Sequence, residues 1–147
     1  DTLTKAVEGI AQQFQPNGGH SLYDRIEGIR AYQWNFAETM VSLPVYETDE
    51  TGACVKANSA YLKLSERSLA ELQGAGWENF IHPDDRSKVF EEWQEAIARR
   101  RAFESTFRVR SKSGKTYQVK AFASPIQTAT GRLVAYLGRY DDIKEIP

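Results

Sequence analysis

The first 42 residues show the polar and apolar pattern of two amphipathic helices. Apolar residues recur three and four positions apart over residues 3–14 and again over residues 22–40, with a Pro-Asn-Gly-Gly run between them. This is the period of a helix with one apolar face. Neither helix would have a core of its own, so each needs a partner surface. We therefore predict that residues 1–42 form a helical extension that packs on the rest of the chain or mediates dimerisation.

From Leu43 onward the period changes from that of a helix to that of strands. The pattern predicts a strand hairpin that turns at Thr51-Gly52, short helices over residues 59–74, a long helix over residues 83–101, and strands over residues 103–110, 117–124 and 132–140. The long helix would bury Val89, Phe90, Trp93 and Ile97. This order predicts one α+β domain, residues 43–147, built on a five-stranded antiparallel sheet.

Composition excludes several classes of function. The chain has 147 residues and a formal net charge of −1, so nothing draws it to a nucleic-acid backbone or to an anionic membrane surface. Cys54 is the only cysteine; it cannot form an internal disulfide and fits a reducing compartment. Two histidines and one cysteine are too few for a Cys/His zinc site. We expect a cytoplasmic domain with no metal, no nucleic-acid partner and no direct membrane contact.

Over roughly residues 43–145 the sequence resembles a PAS domain with its C-terminal extension. The resemblance rests on residues 46–52, 57–61, Gly74 with 77–86, 107–110, 113–114, Pro125, 131–132 and 138–143. It implies a PAS fold, with short helices and one long helix on one face of the sheet. It also implies a sensory module upstream of an effector such as a histidine kinase or a cyclic-dinucleotide enzyme. In this family Asp142 and Ile143 would pass the signal to that effector.

In the family fold, the inner sheet face and the short helices enclose a pocket. Strand alternation places Tyr46, Thr48, Phe107, Val109, Val119, Ala121, Ala123, Tyr136 and Tyr140 on this inner face. The helical segments add Tyr61, Trp77 and Phe80, and together these residues form the candidate ligand-binding set. The two alanines and Gly138 leave volume on this face, and empty volume destabilises a core by about 24 cal/mol per Å³. Either the aromatic rings fill that volume or a small molecule does.

Two cofactors of related sensors lack their usual ligands in this sequence. A thiol–flavin photosensor of this family needs a cysteine where this chain has Trp77. A haem sensor commonly uses a histidine of the long helix, and residues 83–101 contain none. The sequence therefore argues against haem and thiol-type flavin, and leaves open non-covalent flavin, an unidentified small molecule or no ligand at all.

Three polar features have a structural explanation beside a chemical one. His82 is a possible metal ligand or pH-sensitive group, but its place before Pro83 suits a helix entry. Asp84 and Asp85 resemble a catalytic acid pair, yet carboxylates also stabilise the first turn of a helix. The arginines at 99–101 are interleaved in space with glutamates, which favours a solvated face over an anion site. We therefore assign no catalytic residue.

The opposite sheet face also carries apolar residues: Val45, Phe122, Leu133 and Leu137. Exposed apolar patches usually mark contacts. The apolar stripes of residues 1–42 are available to cover this face, within one chain or across a homodimer.

These observations predict a sensory input module that is not an enzyme by itself. It would bind a small ligand or a partner and shift a conformational population that Asp142 and Ile143 relay to an effector domain of the same polypeptide. One alternative is a ligand-free PAS scaffold for dimerisation with a filled core. Another is a small α+β enzyme, but the inner face supplies only Thr48 and tyrosine hydroxyls as reactive groups.

Overall fold

The computed structural model describes residues 42–147; the predicted helices over 3–14 and 22–40 lie outside these residues. Five strands form one antiparallel sheet in the order β2-β1-β5-β4-β3. They are β1 (Val45–Thr48), β2 (Cys54–Ala57), β3 (Phe103–Arg110), β4 (Thr116–Gln127) and β5 (Leu133–Ile146). The helices between β2 and β3 are α1 (Ser59–Ser65), α2 (Leu69–Leu72) and α3 (Arg86–Arg99), with 3-10 turns at Gly76–Phe80 and Pro83–Asp85. The predicted α+β class and its five-stranded antiparallel sheet are confirmed.

Side-chain caps explain where the local elements begin. The Asn58 Oδ1 atom accepts hydrogen bonds from the amides of Tyr61 (3.0 Å) and Val45 (2.9 Å), so one buried side chain starts α1 and fixes it to β1. Ser68 and Glu71 form a reciprocal capping box at α2. In the β1–β2 turn, Asp49 Oδ1 accepts from the amides of Thr51 and Ala53. The turn closes with Gly52 at φ +89°, a conformation that suits glycine.

Helix α3 packs on the sheet through Val89, Trp93 and Ala96, which are buried. The sequence-based prediction that Phe90 is also buried is wrong, because 46% of this residue is exposed. The buried positions 89, 93 and 96 follow the i, i+4, i+7 spacing of one stripe, and Phe90 lies at its edge. None of the helices in residues 42–147 is long and apolar enough to cross a membrane.

Strand β5 is longer than the predicted 132–140, and it contains two irregularities. Asp141 lies opposite Lys120, and Lys144 lies opposite Gln118, so β5 holds one extra residue where Asp142 adopts φ +49°. This bulge reverses the alternation, and Ile143 packs against the core. A second register shift lies near Leu133, which also packs against the core rather than on the outer face as predicted.

Candidate functional site

A tyrosine ring occupies the volume that Gly138 leaves on the inner sheet face. Tyr46 lies opposite Gly138 on the neighbouring strand, and a Cβ atom at position 138 would lie 2.2 Å from the Tyr46 Cζ atom. The Tyr46 ring in turn contacts the rings of Tyr61 (5.7 Å between centroids) and Tyr140 (5.8 Å), both edge to face. Gly138 therefore allows the Tyr46 ring to pack on the sheet, and this ring fills the space that a side chain at position 138 would take.

The two alanines also lie in a packed region. Ala121 is opposite Tyr140 and Ala123 is opposite Gly138, and both alanines are buried. Phe107 contacts Tyr140 at 5.8 Å between ring centroids. Neither alanine lines the cavity described next.

A cavity does exist beside this cluster, between the β1–β2 hairpin, Trp77, α3 and β3. The space open to the centre of a water molecule is about 20 Å³, which is room for about one water. Of the candidate set, the residues that line the cavity are Tyr46, Thr48, Tyr61, Trp77, Phe107 and Tyr140. The others lie in the surrounding core and do not line it: Phe80, Val109, Val119, Ala121, Ala123 and Tyr136. The lining residues outside the candidate set are Gly52, Cys54, Val89, Trp93 and Phe103.

The polar groups around the cavity are uncharged, and most are already paired. The hydroxyls of Tyr61 and Tyr140 lie 3.3 Å apart, and Thr48 Oγ1 donates to the Asp49 carbonyl at 2.9 Å. Trp93 Nε1 donates to the Gly52 carbonyl at 3.3 Å. Within residues 42–147 the Tyr46 hydroxyl forms no hydrogen bond, so it is the group left to meet a ligand.

Burial keeps the titratable groups of the cavity neutral. It raises the pKa of Tyr46 and Tyr140 well above the usual tyrosine value, and the pKa of Tyr61 moves in the same direction for the same reason. Burial also raises the pKa of the Cys54 thiol to about 11. The cavity therefore offers hydroxyl, thiol and indole groups but no formal charge near neutral pH.

Tyr136 serves a structural purpose. Its hydroxyl donates to the carbonyls of Ala96 (3.0 Å) and Arg101 (2.7 Å), which lie at the C-terminal end of α3. Its ring packs against Trp93 at 4.8 Å between centroids. These bonds fix the end of α3 to β5 and remove Tyr136 from the groups available to a ligand.

The polar residues near the start of α3 have structural partners too. His82 Nδ1 accepts from the amide of Asp84 at 3.1 Å, which is a helix-entry role. The Asp85 carboxylate accepts from the Arg108 amide (2.8 Å) and from its guanidinium (2.8 and 3.1 Å), and the Arg108 hydrogen bonds lower the pKa of Asp85. Among the described residues, no group of three His, Cys, Asp or Glu side chains is placed to hold a metal.

This arrangement of a curled antiparallel sheet, short helices and one long helix around a small cavity agrees with known families. A family model described as the PAS fold matches residues 55–140, more than half of the chain. The chain therefore belongs to the PAS fold family. It is a regulatory module, a sensory signalling input domain, of that family.

Solved structures of the same fold share low sequence identity with this chain. A PAS domain from Colwellia psychrerythraea is 21% identical with a TM-score of 0.65, covering 78% of this chain and 98% of that one. The light-state LOV domain of the blue-light photoreceptor aureochrome1 is 18% identical with a TM-score of 0.61, covering 76% and 88%. An RNA-binding light-oxygen-voltage receptor is 23% identical with a TM-score of 0.60, covering 85% of this chain and 35% of the receptor. At these identities the likeness shows the fold alone.

A curated relative is also similar in sequence. The uncharacterized protein y4lL of Sinorhizobium fredii (strain NBRC 101917 / NGR234) is 26% identical over 101 residues. The match covers 69% of this chain and 12% of that protein. The chain thus spans a small fraction of the length of this relative.

Proposed function

We propose that this domain senses a small, uncharged, mainly apolar molecule in the cavity beside Tyr46. The observation that carries the proposal is a cavity whose polar groups are neutral and that is lined by Tyr46, whose hydroxyl forms no hydrogen bond within residues 42–147. A charged ligand would lose its hydration there without gaining a counter-charge. A ligand with an apolar body and one hydrogen-bond acceptor for Tyr46 fits this lining.

The size of the cavity adds a condition to this proposal. Space for about one water does not hold a metabolite, so a ligand has to displace a side chain on entry. Trp77 is half-buried and lines the cavity, whereas most of the other rings are buried in the sheet and α3. Haem and thiol-type flavin stay outside the proposal, since Trp77 holds the position of the photosensor cysteine and α3 has no histidine.

Strand β5 supplies the relay in this proposal. Tyr140 lines the cavity, the bulge at Asp142 follows two residues later, and Ile143 packs against the core. A ligand that moves the Tyr140 ring would shift this segment and bias the chain that follows Ile146. The effector would be a histidine kinase or a cyclic-dinucleotide enzyme in the same polypeptide.

A second candidate function is a scaffold for dimerisation with a filled core. It is favoured by the Tyr46 ring, which occupies the space over Gly138, and by the burial of Ala121 and Ala123. The partner in this case is a second copy of the chain, which would meet the outer sheet face, with Phe122 and Leu137, through the helices predicted in residues 1–42.

Native mass spectrometry with a melting-temperature screen separates the two candidates. We expect matched pairs of small aromatic compounds, such as acetophenone and benzoate, to differ: the uncharged member raises the melting temperature and the carboxylate does not. The Tyr46→Phe variant should lose most of that rise. A chain mass without bound ligand, a dimer in the spectrum, and no rise from any uncharged compound would contradict ligand sensing and support the scaffold.

A further inference from the structure

The Gly76–Phe80 turn, called the lid segment below, lies at the cavity through Trp77 and is firmly fixed at both ends. Before it, Gly74 exchanges two backbone hydrogen bonds with Cys54, at 2.9 and 3.0 Å. After it, Ile81 forms a bridge to Val109, and the His82 amide donates to the Arg108 carbonyl at 3.0 Å. Movement of the lid segment is therefore confined between two anchored points.

Ring contacts hold the lid segment between those points: Trp77 packs edge to face on Trp93 at 6.4 Å between centroids, and the Arg67 guanidinium lies 5.7 Å from the centroid of the Phe80 ring. The Phe80 ring is fully buried against Tyr61, at 5.5 Å between centroids. Trp77 and Glu78 are only half-buried, and Asn79 is exposed. Within the described part of the chain, the hydrogen bonds that tie residues 77–80 to other elements are two, and both reach the Asn79 carbonyl.

Those two hydrogen bonds come from two arginines, one before and one after the lid segment in the sequence. The Nη2 atoms of Arg67 and Arg86 donate to the Asn79 carbonyl oxygen, at 3.3 and 3.2 Å. The Arg67 guanidinium also donates to the carbonyls of Ser65 and Arg110, both at 3.1 Å, and Arg86 Nε donates to the Ile81 carbonyl at 2.9 Å. Neither arginine forms an ion pair with a carboxylate of residues 42–147.

Two like charges that share one carbonyl repel each other, which weakens the pair of hydrogen bonds. Exposed hydrogen bonds with few buried apolar contacts around them are the first to open in native proteins. We therefore expect these two hydrogen bonds to hold the lid segment closed and to break at a small cost in free energy. Gly74, the anchor before the lid segment, adopts φ +67°, a left-handed conformation that suits glycine.

We propose that the lid segment is the entrance of the cavity, with Trp77 as the moving side chain and Arg67 and Arg86 as its latch at the Asn79 carbonyl. Phe80 stays in the core as the pivot. The identity of the molecule that enters rests on the proposed function, but the opening of the lid segment itself needs no ligand.

Cys54 provides a direct measure of this opening. It is the only cysteine of the chain, it is 4% exposed, and it lines the same cavity as Trp77. An uncharged thiol reagent such as N-ethylmaleimide therefore reaches it only when the cavity opens. In the Arg67→Gln/Arg86→Gln variant we expect labelling about tenfold faster than in the wild type, the change that weak hydrogen bonds of this kind correspond to.

The matched control is Arg99→Gln/Arg101→Gln, which also removes two charges, from exposed residues of which Arg99 pairs with Glu95 at 3.2 Å. It should label at the wild-type rate. Hydrogen exchange of the amides of residues 77–80 should also rise in the double variant, while the amide of Ala121 in the core stays protected.

Equal labelling rates in the double variant and the wild type would overturn the latch. So would a parallel loss of protection at Ala121, because the arginines would then stabilise the whole domain and not the lid segment. Faster labelling together with a melting-temperature screen in which no compound has an effect would support the lid proposal. That result would contradict only the proposal that the domain senses a ligand.

Discussion

Strands β3, β4 and β5 run for 8, 12 and 14 residues, whereas β1 and β2 have four residues each. The long strands are paired along most of their length, and α3 is tied to β3 by side chains: Ser105 donates to Glu92 at 2.7 Å and Lys88 to the Thr106 carbonyl at 3.1 Å. The half with β1, β2 and the lid segment has shorter pairings, since β1 pairs with β2 and β5 over at most four residues, and it also relies on turns, caps and single side-chain bonds. The cavity lies where these two halves meet.

In the proposed function this difference gives the two halves separate tasks. Extensive pairing gives the long-strand half a fixed shape, which in that proposal would carry a displacement along β5. The short-element half has fewer buried bonds to lose and can therefore open. The predictions below change one half or the contact between them, from the largest expected effect to the smallest.

The contact between the halves should be most sensitive at Gly138. The Gly138→Ala change places a methyl group on the Tyr46 ring, and we expect a loss of about 3 kcal/mol in the free energy of unfolding, measured by urea denaturation. The same change in a Tyr46→Ala background should cost much less, because the obstructing ring is gone. An additive double variant would show that the ring and the glycine are not coupled.

In the long-strand half, Asp85→Asn should cost about 2 kcal/mol by weakening the paired hydrogen bonds to Arg108. The lowered pKa of Asp85 also predicts a pH dependence. This stabilisation is fully present above the pKa that the carboxyl group has in the unfolded state. It is lost as the pH falls from that value through the lower pKa of the folded state. Asp84→Asn, at a side chain that is 74% exposed, is the control and should change the free energy of unfolding at neutral pH by less than about 0.5 kcal/mol.

In the short-element half, Cys54 predicts a loss of stability in alkaline solution. Its pKa is raised from 9.0 to about 11, so the folded state holds its proton more tightly than the unfolded state. The free energy of unfolding should fall as the pH rises above 9, by about 1 kcal/mol from this group at pH 10. The Cys54→Ser variant should show a shallower decline; an identical slope in both proteins would contradict the assignment.

The smallest expected effect distinguishes two tyrosines of one cluster. Tyr46→Phe removes a hydroxyl without a hydrogen bond in the described residues and should change the free energy of unfolding by less than about 0.5 kcal/mol. Tyr140→Phe breaks the pair with Tyr61 and should cost about 1 kcal/mol. Calorimetry of both variants tests this order, and the reverse order would indicate that the Tyr46 hydroxyl is engaged.

The sequence predicted elements well wherever the alternation was uninterrupted. In β3 the buried and exposed residues alternate along nearly the whole strand, so residues 103–110 could be assigned exactly as a strand. In β5 the two irregularities change which side chains face the core, and neither Leu133 nor Ile143 has a local signal for this. Alternation is counted along one strand, whereas a bulge arises from how that strand pairs with its neighbour, which the sequence of one strand does not show.

The cavity was harder to predict than the fold. The hydrogen bond from Trp93 to the Gly52 carbonyl joins residues 41 positions apart, and it brings a turn and a helix to the same cavity. Periodicity correctly gave Trp93 a buried face, but it contains no information about which turn lies opposite. The sequence indicated Gly52 only as a turn residue, and the structure adds that a Cβ there would lie 2.4 Å from the Ile97 side chain, so glycine allows the turn to approach α3.

The extra residue at Asp142 has a consequence for protein engineering. Because a strand alternates every residue, the bulge sets the phase in which the chain leaves the sheet after Ile146. A chimera that joins another domain at that point inherits this phase. Deleting Asp142 would turn every following side chain to the opposite face. The domain that is joined should therefore keep the same number of residues between Tyr140 and the junction.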